Sequence, residues 1–183
     1  MRIRFFAAVG LAALFAVASC DRPDAPGAPP SAPAFSHEMS SDLSGYYMPV
    51  SDVRVGNWSF HHVFVGQTDE FQAWEGGTRA ETFGPVMLQF EDVTSPMVAT
   101  EIGEARSVTA RVLPTAYSVT DTRIRFEGRS PELGAVRFEG VLDPGALATS
   151  RRNLGDEGVV VRGELKVGNA PARDVQLRWW MGD

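Results

Sequence analysis

The strongest constraint on the fold is an alternation of apolar and polar residues that recurs along most of the chain after residue 43. It is clearest near the carboxyl end, over residues 159–167 and again over 174–181. Successive side chains of a β-strand point to opposite faces, so a period of two predicts strands that bury one face. Residues 169–172 separate the two runs, and we expect the runs to form a hairpin.

A four-residue motif, Arg-Phe-Glu-Gly, occurs at 125–128 and again at 137–140. The residues between the copies, 130–134, have the composition of a turn. If the copies pair antiparallel with Phe126 opposite Phe138, each arginine of the motif lies opposite a glutamate. A slip of one residue would lose both charge pairs, so we predict a hairpin in this register.

Other alternating runs, around residues 58–64, 86–90 and 108–112, are separated by Gly, Pro and Asp. No window of a dozen residues after residue 41 has a helical period, and residues 145–154 are the best candidate for a short helix. We therefore predict an all-β chain with a single antiparallel β-domain of about 8–9 strands over residues 42–183. Its architecture would be a lipocalin-like barrel or a two-sheet sandwich.

The first 41 residues differ in composition from the rest. Arg2 and Arg4 precede an uncharged apolar run at 5–18, which is typical of a secretory signal peptide and short for a membrane-spanning helix. The following stretch is rich in Pro, Ala and Ser and holds five of the twelve prolines, a composition that favours an extended tether. We predict a signal peptide over 1–19 and a disordered, proline-rich tether over 20–41.

The junction between these segments, Val17-Ala18-Ser19-Cys20, resembles the lipobox of bacterial lipoprotein precursors: an aliphatic residue, two small residues and a cysteine. The resemblance implies cleavage before Cys20, a diacylglycerol on its sulfur and an acyl chain such as palmitate on the new amino terminus. It also implies a protein of the bacterial cell envelope, lipid-anchored through Cys20 to the inner or outer membrane and facing the periplasm. The alternative is an ordinary signal peptide with a cysteine near its cleavage site.

Charge and motifs argue against several classes of function. The formal net charge is −6 and basic residues are not clustered, so we expect no nucleic-acid partner. The only cysteine is the predicted lipidation site, and neither a Gly-x-Ser-x-Gly elbow nor a phosphate-binding loop occurs. Carboxylate pairs at 69–70, 91–92 and 156–157 lie beside runs or in loops, as solvated edges do. We predict no enzymatic activity, no catalytic residue and no cofactor.

The three histidines are His37, His61 and His62. Because neighbours on a regular strand point to opposite faces, we do not expect His61 and His62 to share a metal ion, and we predict no metal site.

Aromatic residues are concentrated in the first half of the chain. Trp58, Phe60, His62 and Phe64 would share one face of a regular strand, either in the core or lining a cavity for an apolar ligand. The sequence Val161-Arg162-Gly163-Glu164-Leu165-Lys166-Val167-Gly168, followed by Val175-Gln176-Leu177, resembles the closing hairpin of the YceI family. That family consists of lipocalin-like periplasmic barrels associated with isoprenoid lipids, so the resemblance implies an apolar ligand.

We expect an envelope lipoprotein without catalytic activity that acts through contacts with another envelope protein. The alternative is a carrier of a lipid or isoprenoid in a barrel cavity. A continuous cavity along the Trp58, Phe60 and Phe64 row would favour the carrier. An exposed aromatic patch, for instance at Tyr46, Tyr47 and Trp180, would favour the protein partner.

Overall fold

A computed structural model describes residues 34–101 and 103–182. These residues form thirteen strands and two helices. The strands are β1 (Phe35–Glu38), β2 (Gly45–Pro49), β3 (Arg54–Val55), β4 (Trp58–Val65), β5 (Val86–Asp92), β6 (Met97–Thr100), β7 (Gly103–Arg106), β8 (Thr109–Val112), β9 (Pro114–Thr120), β10 (Arg123–Ser130), β11 (Gly134–Leu142), β12 (Val159–Val167) and β13 (Arg173–Trp180). Helix α1 (Thr68–Glu75) follows β4, and helix α2 (Pro144–Arg152) follows β11.

The predicted signal peptide, Cys20 and most of the predicted tether lie outside the described residues. Among the residues that are described, no helix combines the length and the apolar character needed to cross a membrane.

One curled sheet makes up most of the molecule, with the strand order β1-β9-β10-β11-β12-β13-β2-β4-β5-β8 and β3 paired to β4. The sheet forms a half-barrel, which is closer to the predicted barrel than to the predicted sandwich. Strands β6 and β7 form a separate hairpin. The described residues are mostly β, as predicted, with two short helices. The strands outnumber the eight or nine predicted, because very short strands such as β3 leave no readable alternation.

The prediction of a purely antiparallel domain is wrong at one edge of the sheet. Strand β1 pairs with β9 in parallel, with Phe35 opposite Tyr117 and Glu38 opposite Thr120. Residues 35–38, whose composition places them in the tether, therefore belong to the sheet. A parallel neighbour more than seventy residues away leaves no local hairpin signal.

The hairpin of β10 and β11 has the predicted register. Phe126 lies opposite Phe138, and Arg125 lies opposite Glu139. Both pairs of charges interact, with Arg125 Nη2 at 3.1 Å from Glu139 Oε1 and Arg137 Nε at 3.4 Å from Glu127 Oε1. Each contact of this exposed kind contributes about 0.2–1 kcal/mol.

The glycines of the repeated motif have a packing role. A Cβ on Gly128 would lie 2.7 Å from Cζ of Phe126, and a Cβ on Gly140 would lie 2.8 Å from Cζ of Phe138. In both copies the phenylalanine ring thus covers the glycine two residues further along the same inward face. This close approach explains why the motif needs a glycine after each Phe-Glu pair.

The core fills the concave side of the half-barrel with inward side chains from most of the strands. Each of the following is at most 2 % exposed: Val63, Val65, Leu88, Phe90, Phe126, Phe138, Leu165 and Leu177. Helix α1 adds Phe71 and Trp74 to this core, and α2 adds Leu147.

Helix α2 confirms the predicted short helix, and its start has a clear cause. Asp143 Oδ1 accepts hydrogen bonds from the backbone N–H groups of Gly145 and Ala146 at 2.9 and 3.0 Å, with Pro144 in the first turn. Helix α1 was not predicted, because its eight residues bury only Phe71 and Trp74.

Candidate functional site

The alternation of strand β4 changes phase in the middle of the strand. Its pairing with β5 runs from Phe60 opposite Phe90 to His62 opposite Gln89, so His61 is an extra residue in a β-bulge. Phe60 points into the core before the bulge, and Val63 and Val65 point into the core after it. An inserted residue shifts the alternation by one, so every later side chain of the strand points to the opposite face of the sheet.

The bulge separates the four residues predicted to line a cavity. Phe60 is 2 % exposed and belongs to the core, and Trp58 packs partly buried against that core. His62 and Phe64 instead lie on the convex face and border a groove there. The structure therefore does not bring the four side chains to one cavity, because the prediction assumed a regular strand.

An aromatic row crosses the convex face at this point. Trp180 on β13 lies opposite Tyr46 on β2, Tyr46 lies opposite Phe64 on β4, and Phe64 lies opposite Met87 on β5. The ring centroids of Tyr46 are 5.5 Å from Trp180 and 5.3 Å from Phe64. Phe83, from the loop before β5, packs on Phe64 at 5.5 Å. We call the four aromatic side chains, Trp180, Tyr46, Phe64 and Phe83, the aromatic row.

The row was predicted in part. The alternation of β13 puts Trp179 in the core and Trp180 on the polar face, as the sequence indicates, and Tyr46 is its neighbour. Tyr47 does not belong to the patch: it is fully buried, and its hydroxyl donates to the carbonyl of Leu43 at 2.7 Å.

An open groove of about 1030 Å³ runs beside the aromatic row. Its walls come from the starts of β2 and α1, the middle of β4, the end of β13 and the end of α2. Tyr46, Phe64, Trp180 and Met181 supply much of its apolar surface. Grooves of this size with aromatic walls are typical of binding sites on proteins.

The charged side chains Asp42, Arg151 and Glu70 along the groove make hydrogen bonds within the chain. Arg151 Nη1 donates to Asp42 Oδ2 at 2.8 Å, and its Nη2 donates to the Ser44 carbonyl at 2.9 Å. Burial alone would raise the pKa of Asp42, but hydrogen bonds from Arg151 and Ser44 lower it overall. Glu70 Oε2 accepts the backbone N–H of Gln67 at 2.7 Å, at the start of α1. Asp42 and Arg151 therefore balance each other's charge, whereas the Glu70 carboxylate accepts only a neutral backbone N–H.

The bulge also brings the rings of His61 and His62 together. The sequence predicts that adjacent residues point to opposite faces, but the two Nδ1 atoms lie 2.7 Å apart. His61 Nε2 is 3.6 Å from Glu91 Oε1. The ring of His62 meets Tyr46 edge to face at 5.0 Å. Burial first, then the charges of His61 and Arg111, lower the pKa of His62 to about 3.

The third histidine lies elsewhere, at the sheet edge formed by β1. His37 Nδ1 lies 2.9 Å from Glu75 Oε1, and the Tyr117 hydroxyl donates to the same oxygen at 3.0 Å. Burial, and after it the hydrogen bond to Glu75, raises the pKa of Tyr117 above its ordinary value. This cluster joins β1, α1 and β9.

The predicted acidic pairs have local roles in the structure. Glu70 caps α1, and Glu91 faces His61. Asp92 Oδ1 accepts hydrogen bonds from the Thr94 hydroxyl at 2.6 Å and from the Thr94 backbone N–H at 2.9 Å, and the two bonds lower the pKa of Asp92. Within residues 34–101 and 103–182, no three His, Cys, Asp or Glu side chains form a metal-binding group.

No protein-family model, curated protein or solved structure matches the chain, so the lipobox and YceI resemblances stay predictions.

Proposed function

We propose that this chain is a non-catalytic lipoprotein of the bacterial cell envelope that binds a partner protein on the convex face of its half-barrel. The observation that carries the proposal is the aromatic row, which lies outside the core and beside an open groove. Contiguous apolar surface of this kind marks interaction sites, and Trp and Tyr are the residues that most often dominate them.

The concave side gives less support to the carrier alternative. Phe60 and Phe90 pack there with centroids 5.4 Å apart, and both are at most 2 % exposed. Side chains thus fill the position where the predicted row would line a cavity. The apolar surface that remains accessible lies on the opposite face, where a partner can reach it from solution.

The groove fits an uncharged, extended segment of the partner. Asp42 and Arg151 are paired internally, so a charged segment would find no free counter-charge at either residue. The aromatic row offers ring faces for apolar side chains. The Tyr46 hydroxyl and the Trp180 N–H are donors for the backbone carbonyls that an extended segment presents.

Membrane attachment is supported by the sequence of residues 1–33. The lipobox resemblance at Val17–Cys20 implies a lipid on Cys20, and a proline-rich spacer would hold the half-barrel away from the bilayer. In this arrangement the groove faces the periplasm and meets its partner there.

Photo-crosslinking in living cells tests the proposal. A photoreactive amino acid replaces Met181 at the groove, and in a matched control it replaces Val141 on β11. The two side chains are equally exposed, each at 56 %, so collision alone would label both equally. We expect one protein to crosslink from position 181 and not from 141, and the adduct to disappear when Tyr46→Ala is added.

Equal labelling from both positions, or labelling that survives Tyr46→Ala, would overturn the proposal. Organic extraction of the native protein followed by mass spectrometry separates the two candidate functions. A stoichiometric bound lipid, together with no groove-specific adduct, would establish the carrier instead.

A further inference from the structure

Strands β6 and β7 form a two-stranded arm that continues from strands β5 and β8 of the curled sheet. Backbone hydrogen bonds connect the two parts. The N–H of Asp92 donates to the Val108 carbonyl, and the N–H of Ser107 donates to the Pro96 carbonyl, each at 2.9 Å. These bonds fix the direction of the arm, which comprises residues 93–101 and 103–108 of the described chain.

The first strand of the arm is an exposed apolar edge. All four residues of β6 are exposed, with Met97 at 47 % and Val98 at 43 %. None of them is charged, although charged side chains are a common protection of an open strand edge. Because a two-stranded hairpin is only marginally stable in water by itself, a further strand beside β6 would stabilise the arm.

The hydrogen bonds of the arm determine which backbone groups of β6 are available to a further strand. In an antiparallel pair, positions bonded to the neighbouring strand alternate with positions whose N–H and C=O groups point away from it. The bond between Ser107 and Pro96 identifies one bonded position. The next residue, Met97, and Ala99 two residues further therefore point their backbone groups away from β7.

This arrangement of backbone groups is complementary to a second copy of itself. If two β6 strands pair antiparallel about Val98, Met97 of each copy lies opposite Ala99 of the other, and the outward groups of both residues form hydrogen bonds. A shift of two residues in either direction would pair only one of these positions. The two Val98 side chains would meet on the two-fold axis, at a position where the Cα atoms are about 4.5 Å apart. Their apolar surface would thus be removed from water.

The other edge of the arm is less suited to this pairing. Strand β7 carries Glu104 and Arg106, and charges at a strand edge oppose the addition of a further strand. In addition, Arg106 Nη1 already donates to the Ser95 carbonyl at 2.8 Å. The uncharged β6 is therefore the edge at which two copies fit each other.

We propose that the arm is a self-association element, in which two copies of the chain pair through β6 about Val98 to form a four-stranded sheet with two-fold symmetry. Such an interface is isologous and closed, so it forms dimers and not filaments. Four residues on each side bury less surface than a standard interface of about 1,600 Å², so the dimer is weak and depends on concentration. Among the described residues, those of the arm do not line the groove, so the dimer and the proposed function can fail independently.

Photo-crosslinking in living cells between two differently tagged copies of the full chain tests the pairing. A photoreactive amino acid replaces Met97 in the first copy, and the adduct is detected through the tag of the second copy. The covalent bond records even a weak dimer. We expect an adduct between arms that are otherwise wild type.

Charges at position 98 test the register. Val98→Lys in both copies, or Val98→Glu in both copies, should lower the adduct yield at least fivefold, because like charges would lie directly opposite each other on the axis. Val98→Lys in one copy and Val98→Glu in the other should restore the yield to within twofold of the wild type. This recovery would also show that both variants fold.

Val108→Lys in both copies is the matched control. Val108 lies on the same arm but outside β6, and its exposed fraction of 45 % is close to that of Val98. The adduct yield should stay within twofold of the wild type. A missing adduct between wild-type arms, or equal yields for the like-charge and opposite-charge pairs, would overturn the proposal.

Discussion

A single residue, His61, determines which side chains of β4 lie at the candidate site. As an extra residue opposite β5, it turns Phe64 from the core side to the convex side and brings its own ring beside His62. The sequence does hold a signal for this change of phase. The apolar residues Phe60, Val63 and Val65 alternate only if one extra residue is allowed between Phe60 and Val63. The aromatic residues alone, at positions 58, 60 and 64, instead fit a strand with no bulge.

The buried histidine predicts a pH dependence of stability. Histidine in an unfolded chain has a pKa near 6.5, whereas burial and the charges of His61 and Arg111 lower that of His62 to about 3. Between these values the unfolded chain binds more protons, so the free energy of unfolding falls as the pH falls below 6.5.

Urea unfolding at pH 7.5 and 5.5 measures this effect. The wild type should lose about 1 kcal/mol more than His62→Gln over that interval. His61→Gln serves as the control and should keep most of the loss. Identical pH dependence in the wild type and His62→Gln would show that His62 titrates normally in the folded chain.

A row of like charges on the convex face predicts a stabilising substitution. Glu164 lies opposite Glu139 on one side and Asp174 on the other, and only Glu139 has arginines close by, at 2.7 and 3.1 Å. Like charges directly opposite each other are unfavourable, so Glu164→Gln should raise the free energy of unfolding by about 0.2–1 kcal/mol.

Glu127→Gln is the matched counterpart in the same part of the sheet, because Glu127 lies opposite Arg137. It should lower the free energy of unfolding by a similar amount. If both substitutions shift the free energy of unfolding in the same direction, the charges on the neighbouring strands do not determine the effect of these two residues on stability.

At the scale of elements, local pattern predicts the hairpins well and the remote pairing poorly. The register of β10 with β11 follows from charges and phenylalanines that are visible in the sequence. Beside the pairing of β1 with β9, Glu75 of α1 accepts hydrogen bonds from side chains of both strands. The local sequence of residues 35–38 does not predict pairing with β9, which is distant along the chain.

The ring-over-glycine packing of the β10–β11 hairpin gives a prediction for that element. Gly128→Ala would place a Cβ 2.6 Å from the Leu113 carbonyl oxygen and 2.7 Å from the Phe126 ring. This overlap should lower the free energy of unfolding by about 1–3 kcal/mol. Gly155→Ala is the control, because its nearest neighbour is 3.8 Å away. Equal stability of the two variants in urea would refute the packing role.

The edge strand β1 should depend on Glu75. Glu75→Ala removes the acceptor for His37 and for the Tyr117 hydroxyl, so the amides of residues 35–38 should exchange with deuterium at least tenfold faster. Core amides of β4 and β12 should keep their protection. Glu104→Ala, an exposed change on β7, should leave β1 unaffected. Unchanged exchange in Glu75→Ala would mean that the backbone pairing alone holds the strand.

For the whole molecule, the sequence predicts the class of fold better than the position of the candidate site. Period-two patterns identify the β-domain, and the Asp143-Pro144 start signal identifies α2, because both kinds of signal are local. The curl of the sheet, the covering of the core and the placement of the groove depend on contacts between distant strands. Tyr46 and Trp180 are separated by 134 positions in the sequence but lie opposite each other on neighbouring strands.

We propose that the convex face, and not the interior of the half-barrel, is the surface that binds the partner. Its most direct test is the affinity of the crosslinked partner, once purified, for the wild type and for two variants. Trp180→Ala should weaken binding by about thirtyfold, as expected for an aromatic residue that contributes 2 kcal/mol or more to an interface. Val141→Ala, at an equally exposed apolar position outside the groove, should change it less than twofold. Equal dissociation constants for the wild type and Trp180→Ala would contradict the account.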